Sequence, residues 1–330
     1  MRNDLRKVLD NHFRTIHYSD DTNVDEVVKL INKAVKNCSP KMLYKYRSCS
    51  KRSVREFRKD RLSAVSPSLF NDPYDCLLRY ERPEDNGPMK KTQFEQLVDY
   101  YNRTGYLPED FEKYLPLAWV DELKKNIKQY NAGEWTFQEN DESSNFDEKF
   151  FFEKNALIPC SNFLCDFSRV SCFSERNDSI LMWSHYADEH KGFVLGYDFR
   201  TDFNKEVLDS LYPVIYSKKR YDATDAIRYL VGELVKMRNN INQDQLFILA
   251  AALYKSKDWS YEKEWRIISY GNKEDFVRIN LHPSCICYGS RIDSKDFDEL
   301  HEIAMDKGIK EYNSYVDRTS SCYKMRLKRI

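Results

Sequence analysis

The stretch "SCFSERNDSILMWSHYADEHKGFVLGYDF", residues Ser171–Phe199, carries a strand, a capped helix and a second strand in close succession. "FSRVSCFSE" (167–175) mixes β-branched, aromatic and small polar residues in the pattern of a strand. Asp178 is expected to cap a helix over "SILMWSHYADEH" (179–190), with Gly192 ending it. "FVLGYDF" (193–199) is almost continuously apolar, which marks a strand buried on both faces and so a central one.

The same alternation of short elements extends outward. Downstream, "LYPVIYS" (211–217), "EWRIISY" (264–270), "FVRINL" (276–281) and "CICYGS" (285–290) read as strands. A helix is expected over 223–257, with Ala226, Ile227, Leu230, Leu234 and Met237 in one stripe, and another over 293–307. A strand near 310–316 follows, and "CYKMRLKRI" (322–330) supplies one more. Upstream, residues 1–37 carry two helical stripes. "MLYKY" (42–46) is a short strand ending at Arg47. "SKRSVREFRKD" (50–60) is a basic helix capped by Ser50 or Ser53, and "RLSAVS" (61–66) a strand running into "SPSLFNDPYD" (66–75). Residues 81–157 read as a helical insertion, with helices at 91–102 and about 109–130 and an acidic irregular loop. The expected organisation is N-terminal helices over 1–40 and a single α+β domain over 41–330 carrying that insertion.

Composition narrows the function. Nine glycines in 330 residues argue against Gly-rich phosphate loops, and there is no dinucleotide-binding fingerprint. Lys plus Arg equals Asp plus Glu at 53 each, so no overall charge draws nucleic acid or membrane, although local patches remain open. Nine cysteines without a C-x-x-C pair read as reduced thiols of a cytoplasmic protein. No apolar run is long enough for a membrane span, so no membrane partner is expected.

Four stretches could carry chemistry. "LYKYRS" puts Arg47 at a strand end beside a run, Lys45 to Arg61, of eight basic and two acidic residues. It reads as a solvated helix face or as a phosphate site, because arginine grips phosphate oxygens bidentately. The opening stretch places Ser171 and Ser174 at a strand end, and His185 and Asp188 three apart on one helical face. His185 is a structural hydrogen-bonder or a site residue. "WSYEKEWRII" (259–268) puts Glu262, Glu264 and Arg266 on one face of a strand as it begins. Two carboxylates on one face suit acid/base or sugar chemistry; a Glu264–Arg266 salt bridge is the structural alternative. In "SPSLFNDPYD", Pro67 and Pro73 fix turns, Asn71 and Asp72 favour Asx turns, and Phe70 anchors the loop in the core.

In this order, "LYKYRS", "SPSLFNDPYD", "SCFSE", "MWSHYADEHKGFVLGYD", "WSYEKEWRI" and "CICYGS" resemble a bacterial family known only as domain-of-unknown-function family 2971, over roughly 42–316 with gaps. A second resemblance is to the ADP-ribosyltransferase superfamily, whose members carry an Arg or His, a Ser-containing strand and a late Glu in chain order. Here that order is Arg47, Ser174 and Glu262-x-Glu264. It implies short strands in two small sheets around a cleft, NAD as the substrate that is cleaved, and a protein or nucleic-acid acceptor. Under it Glu264 holds the ribose hydroxyls, Glu262 orients or deprotonates the acceptor, Ser174 braces Glu264 and Arg47 holds a phosphate or the adenosine ribose. Tyr46 or Trp265 stacks on nicotinamide, and Asn71, Asp72 and His185 complete the nucleotide wall. No metal is required. Scattered bacterial families of this kind suggest a defence or toxin effector. The alternatives are a metal-dependent nuclease or hydrolase using Asp72, Asp75, His185 and Asp188 with the glutamates, and a non-catalytic nucleotide- or protein-binding module.

Overall fold

The computed structural model describes residues 2–16, 24–79, 91–107, 117–134, 165, 168–201, 204–226, 244–270, 276–321 and 323–330. Two helices come first, α1 (Arg2–Thr15) and α2 (Val24–Cys38). Leu5, Leu9 and Phe13 on the first, and Ile31 and Val35 on the second, enter the main core, as the helical repeat requires. There follow β1 (Met42–Arg47), α3 (Lys51–Arg58), β2 (Arg61–Val65) and a 3-10 turn at Pro67–Leu69. Ser50 caps α3, accepting from the Ser53 amide. Then come α4 (Lys91–Thr104), α5 (Leu117–Asn131), β3 (Ser168–Ser174), α6 (Ile180–Tyr186), β4 (Phe193–Asp198), β5 (Leu211–Pro213) and β6 (Ile215–Ser217). The chain continues with α7 (Asp244–Leu253), β7 (Tyr254–Ser256), β8 (Glu264–Tyr270), β9 (Phe276–Asn280), β10 (Cys285–Tyr288), α8 (Ser294–Lys307), β11 (Lys310–Val316) and β12 (Met325–Arg329).

The α+β class holds. Where two small sheets were expected, however, ten strands form one sheet, running β12-β11-β10-β4-β1-β3-β2-β9 with β8 and β5 branching off β3, beside a separate β6–β7 pair. Among the described residues of the large sheet only β10 and β11 pair in parallel, and α8 supplies the crossover such a pair needs. β4 lies between β1 and β10, and Phe193, Val194, Leu195 and Tyr197 are buried on both its faces. Its apolar sequence therefore reports its central place.

Several elements differ from the sequence reading. Ser179, rather than Asp178, caps α6, accepting from the Met182 amide; Asp178 instead takes a hydrogen bond from Arg176 Nε at 2.8 Å. The helix ends at Tyr186, because Asp188, Glu189 and His190 all have positive φ. The 187–192 turn is closed by the Gly192 amide on the Ala187 carbonyl. A Cβ on Gly192 would overlap the Arg47 carbonyl oxygen, so glycine is required for this approach. The helix expected over 223–257 is α-helical at 224–226 and at 244–253; residues 227–243 lie outside the described residues. Past Leu253 the chain turns into β7, where Tyr254 stacks on Tyr221 at 5.1 Å, and then into a 3-10 turn at Lys257–Glu262 capped by Ser256.

Within the insertion, Leu97, Val98, Leu107, Val120 and Ile127 join α4 and α5 in a small core of their own. Its acidic loop lies outside the described residues. Among the described residues no helix is long and apolar enough to cross a membrane.

Candidate functional site

Three adjacent strands carry the site. Tyr44 on β1 stands opposite Ser174 on β3, which stands opposite Glu264 on β8, so the three share one sheet face. β8 occupies one edge of β3 from Ser168 to Ser174. β1 and β2 must therefore share the other edge, β1 at Ser174 and β2 at Val170. The sheet forks there, and Lys45 reaches into the fork, with Nζ 3.0 Å from Ser171 Oγ and 2.9 Å from the Cys172 carbonyl. A cavity of about 440 Å³ opens at this place, walled by Tyr44, Tyr46, Phe70, Asn71, His185 and Tyr186, with Glu262, Glu264, Lys255 and Asp75 at its charged end.

That end is a closed network of five ionisable groups. Lys255 Nζ lies 2.6 Å from Glu262 Oε2, 2.9 Å from Glu264 Oε2 and 3.6 Å from Asp75 Oδ2. Arg266 grips Asp75 through two parallel bonds of 2.8 and 2.6 Å and holds Glu264 Oε1 through Nε at 2.8 Å. It also donates to the Ala252 carbonyl at 2.6 Å. All five side chains are buried. Tyr186 donates its hydroxyl to Glu262 Oε1 at 2.6 Å, and Asn71 Nδ2 meets the same hydroxyl at 3.3 Å. Ser174 Oγ donates to the Glu262 carbonyl at 2.5 Å and accepts from the Arg176 amide, which fixes the backbone just ahead of β8.

Buried ion pairs of this kind contribute little net stability, because desolvating each ion costs several kcal/mol. What they fix is geometry and protonation. Three carboxylates face two cations, leaving one negative charge in excess. Burial pushes the Glu262 carboxyl above the ordinary carboxylate range, and the neighbouring Glu264 adds to this against the pull of Lys255. Burial also opposes ionisation of Glu264, but Arg266 and Lys255 outweigh it and hold that group well below the ordinary range. Two adjacent carboxyls thus have opposite protonation tendencies, the arrangement that separates an acid/base group from a permanent anion. Burial, with Arg47 close by, lowers Lys45 to about 8.

The residues singled out from the sequence divide cleanly. Glu262, Glu264, Ser174, Tyr46, Asn71 and His185 all line the cavity. Glu262 reaches it differently from the expected strand alternation: it ends the 3-10 turn, and Lys263, in the left-handed conformation, turns the chain into β8. Arg47 lies elsewhere. Alternation along β1 sends it to the face away from Tyr44 and Tyr46, where it pairs with Glu56 on α3 at 2.8 Å. Trp265, opposite in phase to Glu264 and Arg266, is fully buried and donates Nε1 to Glu175 at 2.8 Å, so it cannot stack on a ligand in the cavity. Asp72 is buried in its own turn, accepting from the Tyr74 amide. The carboxylate this turn delivers to the site is Asp75, while Phe70 lies over the Arg266 guanidinium at 5.3 Å. Asp188 sits beyond the end of α6, in the left-handed conformation, so helical spacing does not pair it with His185. Among the described residues no group of three or more His, Cys, Asp or Glu is placed to hold a metal ion; the convergent carboxylates close on Lys255 and Arg266.

Sequence reading missed Lys255, Lys45 and Tyr186 as site residues. Lys255 was hidden in a supposed helix. Lys45 was counted into the basic run, although an isolated lysine in an otherwise apolar and aromatic strand was a usable signal.

Residues 182–267 match the family model described as Protein of unknown function (DUF2971). This is the family the motifs resemble. The DUF2971 match runs from α6 into β8 and so contains Tyr186, Lys255, Glu262, Glu264 and Arg266. Lys45, Asn71 and Asp75 complete the site from sequence ahead of the matched segment. No curated protein and no solved structure gives a significant match.

Proposed function

We propose that the cavity is the active site of an enzyme that cleaves NAD at the nicotinamide–ribose bond and transfers ADP-ribose to an acceptor, a protein or a nucleic acid. The observation that carries this reading is Glu262, a carboxyl at the cavity's charged end, held by Tyr186 and Lys255 and shifted upward by burial, beside Glu264, which Arg266 and Lys255 shift downward. Cleavage of the N-glycosidic bond builds positive charge on the ribose, and preformed negative charge nearby lowers that barrier. The C–N bond breaks with its electron pair going to nicotinamide, whose ring becomes neutral and needs no proton. The acceptor's lone pair forms the new bond to C1′, and its proton passes to the Glu262 carboxylate.

Glu264 has both oxygens committed to Arg266 and Lys255, so in this reading it acts through Glu262 as a positioning group and a fixed charge. Lys45, which reaches the cavity through the fork, takes the phosphate-binding role in place of Arg47, which is tied to Glu56. Tyr44, Tyr46, Phe70 and Tyr186 offer aromatic walls for the nicotinamide and adenine rings. The test is release of free nicotinamide from NAD by the purified chain. Wild type is expected to release it and Glu262→Gln to lose at least a hundredfold in rate with its melting transition intact. A variant as active as wild type would remove Glu262 from the chemistry.

A further inference from the structure

A second hollow, of about 320 Å³, lies between α3, β2 and β9. Among the described residues, Arg52, Arg55, Lys59, Arg61 and Arg278 line it against one carboxylate, Glu56. Glu56 is already engaged by Arg47 at 2.8 Å, by Arg52 at 3.3 Å and by Ser63 Oγ at 2.5 Å. Arg55, Lys59 and Arg61 are exposed and have no ion pair among the described residues. In a chain with equal numbers of acidic and basic residues, five cations around one neutralised acid is a local segregation, and it opposes folding through mutual repulsion.

An aromatic ring stands inside this field. Register pairs Val65 with Phe276 and Ser63 with Arg278, so Phe276 and Arg278 share a face of β9 alongside β2. The Arg52 and Arg278 guanidinium carbons lie 5.6 and 5.4 Å from the Phe276 ring centroid. Phe276 is partly exposed. A ring flanked by two planar cations and set among free cations is a surface on which a base can stack while phosphates are neutralised.

We infer that this hollow binds single-stranded nucleic acid, with backbone phosphates on Arg55, Lys59 and Arg61 and a base against Phe276. The repeated anions of a phosphodiester chain match several free cations around one concave space. A flat anionic membrane would not enter the hollow, and an acidic peptide would not need the aromatic platform. The surface uses none of the cavity's side chains, so it stands whether or not the chain cleaves NAD.

The test is fluorescence anisotropy of the full chain with labelled oligothymidylate over a range of salt concentrations. Binding should weaken steeply with salt, with a slope of roughly 0.7 per phosphate neutralised. The triple variant Arg55→Ala/Lys59→Ala/Arg61→Ala should lose at least tenfold in affinity and flatten that slope. Phe276→Ala should lose affinity with its slope retained; a melting curve matching wild type keeps this outcome interpretable. Absence of binding at low salt, unchanged affinity in the triple variant, or binding to phosphatidylserine vesicles in place of the oligonucleotide would each overturn the inference.

Discussion

Lys255 and Glu262 meet at 2.6 Å inside a network that is almost closed to water. Lys255 also touches Glu264 and Asp75, so one ammonium holds three carboxylates from two distant parts of the chain. Replacing it with methionine leaves Asp75 and Glu264 to Arg266 and Glu262 to the Tyr186 hydroxyl. Lys255→Met is expected to lose about 3–5 kcal/mol of stability, the range for breaking a buried pair from one side. Urea unfolding measures it. A loss under 1 kcal/mol would mean the network is solvated in solution.

The two glutamates give opposite pH signatures. Glu264, held below the ordinary carboxylate range, contributes stability that is present above about pH 4.3 and lost as pH falls through its folded value. Glu262, held above that range, binds its proton more tightly folded than unfolded. Its contribution is full below about pH 4.3 and is lost as pH rises through the raised value. Glu262→Gln should therefore remove a decline in stability above pH 4.3, whereas Glu264→Gln should reduce the loss on acidification. Melting temperature against pH for the three proteins reads both effects.

Tyr186 lowers the Glu262 value by donating to the ionised form. Tyr186→Phe deletes that donor and should push Glu262 further up. Under the proposed function, the acid limb of the rate profile then moves to higher pH, at a stability loss of about 1 kcal/mol. An unmoved limb would assign it to another group.

Lys45, lowered to about 8, loses its charge at mildly alkaline pH. As the phosphate-binding group of the proposed reaction it should give a KM that rises above about pH 8. Lys45→Arg keeps the charge and should abolish that rise. Because the folded chain binds the lysine proton less tightly than the unfolded chain, wild-type stability should also climb between about pH 8 and the ordinary lysine value.

Ser174→Ala tests the link between β3 and the 3-10 turn. It strands the Glu262 carbonyl and the Arg176 amide, and should cost about 1–3 kcal/mol. Ser174→Thr, which keeps a hydroxyl, should recover part of the loss in the same unfolding experiment.

The sequence by itself determined the α+β class, the apolar stripes of α1 and α2, the central place of β4 and the presence of a Glu-x-Glu pair at the start of a strand. These follow from periodicity, which records the faces of one element at a time. Even the exclusion of Trp265 is latent in alternation, since it is out of phase with Glu264; which face meets the cavity is not. Only the tertiary structure decided that Arg266 would be neutralised by Asp75, 191 positions away, and that Lys255 would sit in a buried strand. It also decided that Arg47 would turn to Glu56. Such pairings depend on the fork at β3 and on the loss of water around it. Charges that would stay apart in solvent are forced to close on one another only when the sheet, the Pro67–Asp75 turn and the α7–β7 junction are all in place.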